Sequence, residues 1–162
     1  MIYIDLDGVL ADLEAYMLSK DPKATEYEID FFRLAATDKR FFLDSPVIEE
    51  NLNLLQKGEF RILSSLPCMA KFIRVSKELG FSHNKIQKCY AKWADNKLEF
   101  CEKLGIPRSQ VILVTSPKEK LRYCQIGDTL YDDRADTIEK WSALGGTGIL
   151  VPYVSLRKGC SD

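Results

Sequence analysis

Five short apolar runs recur along this chain, and segments with helical patterning separate them. Runs of this kind are typical of buried β-strands. Strand-like runs that alternate with helix-like segments favour a parallel sheet in which helices connect one strand to the next. We therefore expect a doubly wound α/β fold with a parallel sheet of about five strands. The predicted strands cover residues 1–5, 60–64, 110–115, 126–131 and 147–151.

Two of the connecting helices can be located from their apolar spacing. The pattern predicts helices over residues 71–79 and 92–104, which end at Gly80 and Gly105. The single histidine, His83, lies in a turn-like run between them, which predicts a surface loop residue and not a general base. Without a usable histidine, any acid–base chemistry would have to come from other side chains, chiefly carboxylates.

The segment between the first and second predicted strands is longer than a simple connection. Residues 12–46 carry an apolar pattern of their own, with a polar break at residues 19–25. A structureless loop of this length is unusual within a compact domain. We expect one domain over residues 1–162, with its core in residues 1–11 and 47–162 and a small helical cap in residues 12–46.

Acidic pairs follow two of the predicted strands. Asp5 and Asp7 end the first strand and are followed by Gly8, and Asp132 and Asp133 end the fourth strand. Open α/β sheets bind ligands at the carboxyl ends of their strands. Clustered carboxylates repel one another unless a cation or a shared proton offsets their charge. Mg²⁺ prefers oxygen ligands, so the two pairs together predict one magnesium site.

Hydroxyl and ammonium groups follow two further strands. Ser64 and Ser65 end the second predicted strand, and Lys118 and Lys120 come shortly after the third. Such groups supply the donors that a phosphoryl group needs. The paired hydroxyls and the acidic pair at residues 132–133 also have ordinary structural interpretations. Paired hydroxyls are common in turns, and adjacent acids suit a helix N-terminus.

The composition excludes several other classes of protein. The 162 residues carry a net charge of −1 with scattered charges, so we expect no polymeric nucleic acid as a partner. No stretch reaches the apolar length of a membrane span or resembles a secretory leader, which predicts a cytoplasmic protein without membrane contact. Five cysteines without a CxxC pair predict reduced thiols and no structural zinc. A monomer and a homodimer are both compatible with these features.

In their order along the chain, these motifs resemble those of the haloacid-dehalogenase-like (HAD) phosphohydrolase superfamily. The motifs are DLDGVLAD at residues 5–12, ILSS at 62–65, a lysine, and LYDDR at 130–134. Within the superfamily, the chain is particularly similar to 5'-nucleotidases of the deoxyribonucleotidase type and their bacterial and phage relatives. The residues that carry this second likeness are RFF at 40–42, SSLP at 64–67, KLRYC at 120–124 and WSALGGTGI at 141–149.

The resemblance implies a Rossmann-like fold and a Mg²⁺-dependent hydrolysis of phosphomonoesters. Asp5 would attack phosphorus and form an aspartyl phosphate, while Asp7 would protonate the leaving oxygen and then activate water. Mg²⁺ would be held by Asp5, by the backbone carbonyl of Asp7, and by one of Asp132 and Asp133. The chain departs from the family at Tyr131, where an aliphatic residue usually precedes the acidic pair.

The same resemblance implies how the phosphate would be held. Ser64 and Lys120 would bind the phosphoryl oxygens, and Ser65 would contact them too. Lys118 is a rival for the lysine role, because the family has a single lysine in this element. The partner would be a small phosphorylated metabolite, most simply a nucleotide.

Aromatic residues of the predicted cap would then select the substrate. In the deoxyribonucleotidases, cap aromatics stack on the base, and Phe31, Phe32, Phe41 and Phe42 are the candidates here. The alternative is that these rings only build the core of the cap. Two other functions also remain open: a HAD phosphatase for a sugar phosphate or a nucleic-acid end, and a phosphoaccepting receiver domain.

Overall fold

The computed structural model describes residues 1–24 and 27–153. These residues form a five-stranded sheet in which every neighbouring pair of strands is parallel. The strand order is β3-β2-β1-β4-β5, so the chain winds outward from the central β1 in both directions. The predicted doubly wound α/β class is therefore confirmed. The strands are β1 (Ile2–Ile4), β2 (Phe60–Ser65), β3 (Val111–Val114), β4 (Thr129–Asp132) and β5 (Thr147–Leu150).

Helices connect these strands and cover both faces of the sheet. Short 3-10 helices span Glu49–Gln56, Arg108–Gln110 and Leu121–Tyr123. The α-helices are α1 (Leu13–Lys20), α2 (Tyr27–Thr37), α3 (Met69–Leu79), α4 (His83–Lys103), α5 (Pro117–Lys120) and α6 (Ala135–Ala143).

Alternating residues of the central strands fill two separate cores. On one face, Ile4 and Ile62 pack with Phe100 of α4. On the other face, Leu63 packs with Trp141 of α6. Successive side chains of a strand point to opposite faces, so neighbouring positions such as Ile62 and Leu63 contribute to different cores.

The connection between α3 and α4 is shorter than the sequence pattern suggested. Helix α3 ends at Gly80, which adopts the left-handed conformation with φ of 69°. Ser82 then caps α4, because its side chain accepts a hydrogen bond from the Lys85 backbone N–H at 3.2 Å. The predicted start of this helix at residue 92 was therefore wrong. His83 is exposed as predicted, but it lies in the first turn of α4 and not in a loop.

The segment predicted as a cap contains α1 and α2 and shares a hydrophobic core with α3 and α4. Phe32 stacks on Phe72, with ring centroids 5.1 Å apart and an interplanar angle of 10°. Met17 and Trp93 are buried in the same cluster. The Trp93 indole N–H donates to the Ala35 carbonyl at 2.6 Å. This segment is therefore joined to the sheet domain through a common core.

A membrane-spanning helix needs about 20 predominantly apolar residues. No helix within residues 1–24 and 27–153 combines the length and apolar character needed to cross a bilayer.

Candidate active site

Three carboxylates converge at the carboxyl ends of β1 and β4. One oxygen each from Asp5, Asp132 and Asp133 lies within 4.8 Å of the others. The two strands are neighbours with Ile4 paired to Tyr131, so the residues that follow them meet although they are far apart in sequence. Asp5 and Asp132 are buried and Asp133 is half-buried. Three of the four acidic residues predicted to form one site, Asp5, Asp132 and Asp133, therefore lie together.

Lys120 is enclosed by two of these carboxylates. Its Nζ lies 2.8 Å from an Asp5 oxygen and 2.7 Å from an Asp132 oxygen. Burial alone would lower the pKa of Lys120, but the two carboxylates outweigh it and raise that pKa. Lys118, the rival candidate, is exposed and lines the rim of the cavity. Of the two candidate lysines, Lys120 is thus the one that contacts Asp5 and Asp132.

A second buried lysine was missed by the sequence reasoning. The Nζ of Lys97, on α4, donates to the Asp7 carboxylate, to the Ser65 carbonyl at 2.8 Å and to the Ser64 hydroxyl at 3.2 Å. The Asp7 carboxylate therefore contacts Lys97 and stands apart from the three-carboxylate group. A signal for Lys97 existed, because it follows Trp93 by four residues and lies on the apolar stripe of its helix.

The two serines of β2 differ in exposure. Ser64 is fully buried with its hydroxyl beside Lys97, whereas Ser65 lines the cavity. Both lie at the end of β2, next to the carboxyl end of β1. The sequence candidates at the ends of β1, β2 and β4 are thus brought to one edge of the sheet.

Burial shifts the protonation of the acidic groups. It raises the pKa of Asp133 to about 7, with further upward shifts from the charges of Asp5 and Asp132. It raises the pKa of Asp132 to about 6, and the Asp5 charge adds to this while Lys120 opposes it. Burial also raises the pKa of Asp7, against the opposing charge of Lys97. These carboxylates hold protons more readily than exposed acids do.

Gly8 allows the first acidic motif to approach the second. Its φ of 77° lies in the left-handed region, which glycine adopts without strain. A Cβ at this position would lie 2.2 Å from the Asp133 Oδ2 atom and 2.6 Å from its Cγ. Any other residue at position 8 would therefore collide with Asp133.

A cavity of about 1070 Å³ opens beside these groups. Asp5, Asp7 and Asp133 line one part of it, and Phe31, Phe32 and Phe42 line another. The fourth candidate aromatic, Phe41, is fully buried and contacts Phe31 and Tyr16 edge-on. Three of the four predicted phenylalanines thus border the same space as the carboxylates.

Comparison with known proteins gives little further information. No family model matches the chain, and no curated protein sequence matches it. A solved structure described as the HAD domain of effector protein Lem4 from Legionella pneumophila is similar to it, with 15% identity and a TM-score of 0.40. The similarity covers 96% of this chain and 86% of that one.

Proposed function

We propose that this protein is a Mg²⁺-dependent phosphomonoester hydrolase that acts through an aspartyl phosphate on Asp5. The observation that carries the proposal is the arrangement of Asp5, Asp7 and Lys120 at the edge of a large cavity. A buried carboxylate beside an ammonium group can act as a nucleophile toward phosphorus. A second carboxylate two residues later can serve as acid and base.

In the first step, an Asp5 carboxylate oxygen attacks phosphorus and the bond from phosphorus to the ester oxygen breaks. Asp7 transfers its proton to the departing oxygen, which leaves as an alcohol. The raised pKa of Asp7 supports this role, because the acid must carry a proton when the substrate binds. Lys120 offsets the charge of Asp5, so that an anionic phosphate can approach it.

In the second step, water attacks the phosphorus of the aspartyl phosphate. Asp7, now ionised, accepts a proton from that water, and the bond between phosphorus and the Asp5 oxygen breaks. Inorganic phosphate leaves, and both carboxylates return to their starting states. The net reaction consumes one ester and one water and forms one alcohol and one phosphate.

The charges of the site fit a divalent cation. The three carboxylates Asp5, Asp132 and Asp133 exceed the Lys120 ammonium group by two negative charges when all three are ionised. Carboxylate oxygens are the ligands that Mg²⁺ prefers. Asp5 and one of Asp132 and Asp133, with the Asp7 backbone carbonyl, would hold the ion. When bound, Mg²⁺ would neutralise the carboxylates and the phosphate so that two anions can meet.

A nucleoside monophosphate is the substrate that we propose. The cavity volume is close to the upper end of the range for small-molecule sites, so it leaves space for a base and sugar beyond the phosphate. Phe31 is the half-buried ring of the aromatic wall, whereas Phe32 and Phe42 are buried. A partly exposed ring can stack on a base, so Phe31 is the first candidate for this contact.

A phosphate-release screen tests this proposal. The purified protein is incubated with deoxynucleoside and nucleoside monophosphates, sugar phosphates and p-nitrophenyl phosphate, with Mg²⁺ and with EDTA. We expect Mg²⁺-dependent release that is highest for nucleotides. Release from sugar phosphates alone would refute the nucleotide specificity, and release that EDTA leaves unchanged would refute the metal site.

Substitution of the cap rings tests the substrate further. Phe31→Leu keeps most of the packing but loses the flat ring, so kcat/KM should fall for a nucleotide and change little for a small generic phosphoester. The loss of one base-stacking contact corresponds to about 1 to 3 kcal/mol. Phe41→Leu is the matched control, because Phe41 is buried away from the cavity wall. Equal losses on both esters would mean that the rings only build the cap.

A further inference from the structure

Lys97 is a buried cation that the proposed reaction does not use. Its side chain is fully buried, and it reaches the site from the C-terminal half of α4. A buried ammonium group is costly unless charge and hydrogen bonds compensate it. Lys97 has this compensation, because it donates to Asp7, Ser64 and Ser65 and lies 4.7 Å from the centre of the Phe42 ring.

Asn96, the residue before Lys97 on α4, holds the backbone next to Phe42. Asn96 donates to the backbone carbonyls of Lys39 at 3.0 Å and of Phe41 at 2.8 Å. Phe42 itself has a φ of 71°, a left-handed conformation that is costly for a residue with a side chain. Packing and hydrogen bonds around it must therefore hold it there. The strained residue places its ring against the ammonium group of Lys97.

We propose that Lys97 is a positioning residue, which orients the Asp7 carboxylate for proton transfer and ties it to the end of β2. This inference rests on the proposed phosphatase function. Lys97 binds the Oδ2 atom of Asp7. The Oδ1 atom therefore remains to carry the proton that passes to the leaving oxygen. The Asp7 side chain is 28% exposed and lines the cavity, whereas the Lys97 side chain is fully buried. Lys97 therefore acts on the reaction through Asp7.

The dependence of rate on the leaving group separates this role from a structural one. A poor leaving group, such as an alkyl alcohol, needs a proton from Asp7, whereas p-nitrophenolate leaves without one. A displaced Asp7 should therefore slow the hydrolysis of an alkyl phosphate much more than that of p-nitrophenyl phosphate. Simple loss of folded protein would lower both rates by the same factor.

Lys97→Met is the test variant, because methionine is unbranched and lacks the ammonium group. We expect kcat/KM for an alkyl phosphate to fall roughly 100-fold. The loss for p-nitrophenyl phosphate should be about tenfold smaller, and Asp7→Asn should show the same asymmetry more strongly. Lys92→Met, an exposed lysine on the same helix, should change neither value.

Phe42→Leu gives an independent test if Lys97→Met does not fold. It removes the ring face from Lys97 but keeps an apolar side chain, so the same asymmetry should appear at smaller size. Equal losses on the two esters, or no loss in either variant, would overturn the positioning role. A wild-type protein that hydrolyses neither ester would instead refute the proposed function, so the two failures are distinguishable.

Discussion

At the scale of single residues, Asp5 is the group on which the proposed chemistry depends most. It is 5% exposed, and its carboxylate lies against Lys120 and within the three-carboxylate group. Asp5→Asn keeps the shape of the side chain but removes the attacking anion, so kcat should fall by several orders of magnitude. The measurement is steady-state phosphate release by the purified, folded variant. More than about a tenth of wild-type activity would contradict a phosphoaspartate.

The two candidate lysines can be separated by parallel substitutions. Lys120→Met leaves Asp5 and Asp132 without their shared cation, so kcat should fall by about 100-fold or more. Lys118→Met changes an exposed rim residue, so its effect on kcat should stay within a few-fold. Both variants should be compared at saturating substrate after thermal unfolding has shown that they are folded. The reverse order of effects would assign the phosphate contact to Lys118.

Sequence reasoning found the candidate residues that follow strands and missed the one that lies inside a helix. Asp5 and Asp132 each end an apolar run, so their place at the sheet edge follows from local pattern. Lys97 lies in a helix that is rich in exposed lysines, and its burial depends on how that helix packs beneath the cap segment. The sequence also could not show which of the four candidate phenylalanines border the cavity, because this depends on the turn at Phe42.

At the scale of elements, the strands were easier to predict than the helix boundaries. A strand buried on both faces must be apolar throughout, and a run of this kind is visible in the sequence. The first turn of α4 has no apolar pattern that would reveal where the helix starts, because residues 82–84 are polar and exposed. Ile86 is its first buried position. The start of the helix is marked by the capping contact of Ser82 and by the hydrogen bond from the Ile86 N–H to the Ser82 carbonyl at 3.0 Å.

Helix α4 also carries a testable link to the cap segment. Asn96→Ala removes the donors for the carbonyls of Lys39 and Phe41, so the free energy of unfolding should fall by about 1 to 3 kcal/mol. Denaturant unfolding measures this change. Asn84→Ala is the matched control, because Asn84 is exposed on the same helix and its loss should cost less than about 0.5 kcal/mol. Equal losses would mean that the two hydrogen bonds contribute nothing.

At the scale of the whole molecule, the three-carboxylate group of Asp5, Asp132 and Asp133 should make the free energy of unfolding depend on pH. The pKa of Asp133 is about 7 in the folded protein without metal, compared with 3.8 for an unperturbed group. Between these values the folded state holds a proton that the unfolded chain has lost. The metal-free protein should therefore lose stability as pH rises from about 4 to 7.

Magnesium should reverse this trend, because it competes with protons for the same carboxylates. The increase in Tm caused by Mg²⁺, relative to EDTA, should be larger at pH 8 than at pH 5.5. Asp133→Asn should reduce the difference between the two pH values, since it removes the carboxyl group whose pKa burial raises to about 7. Thermal unfolding in both buffers measures the effect. An increase in Tm that is the same at both pH values would contradict the linkage.

The close approach of Gly8 to Asp133 also restricts how this sequence can change over evolutionary time. A side chain at position 8 would occupy the space of the Asp133 carboxylate, so such a change requires a smaller or displaced group at position 133. The two positions are 125 residues apart in the sequence, yet position 8 cannot gain a side chain while Asp133 stays in place. Functional sequences that carry a residue other than glycine at position 8 should therefore also carry a change at position 133.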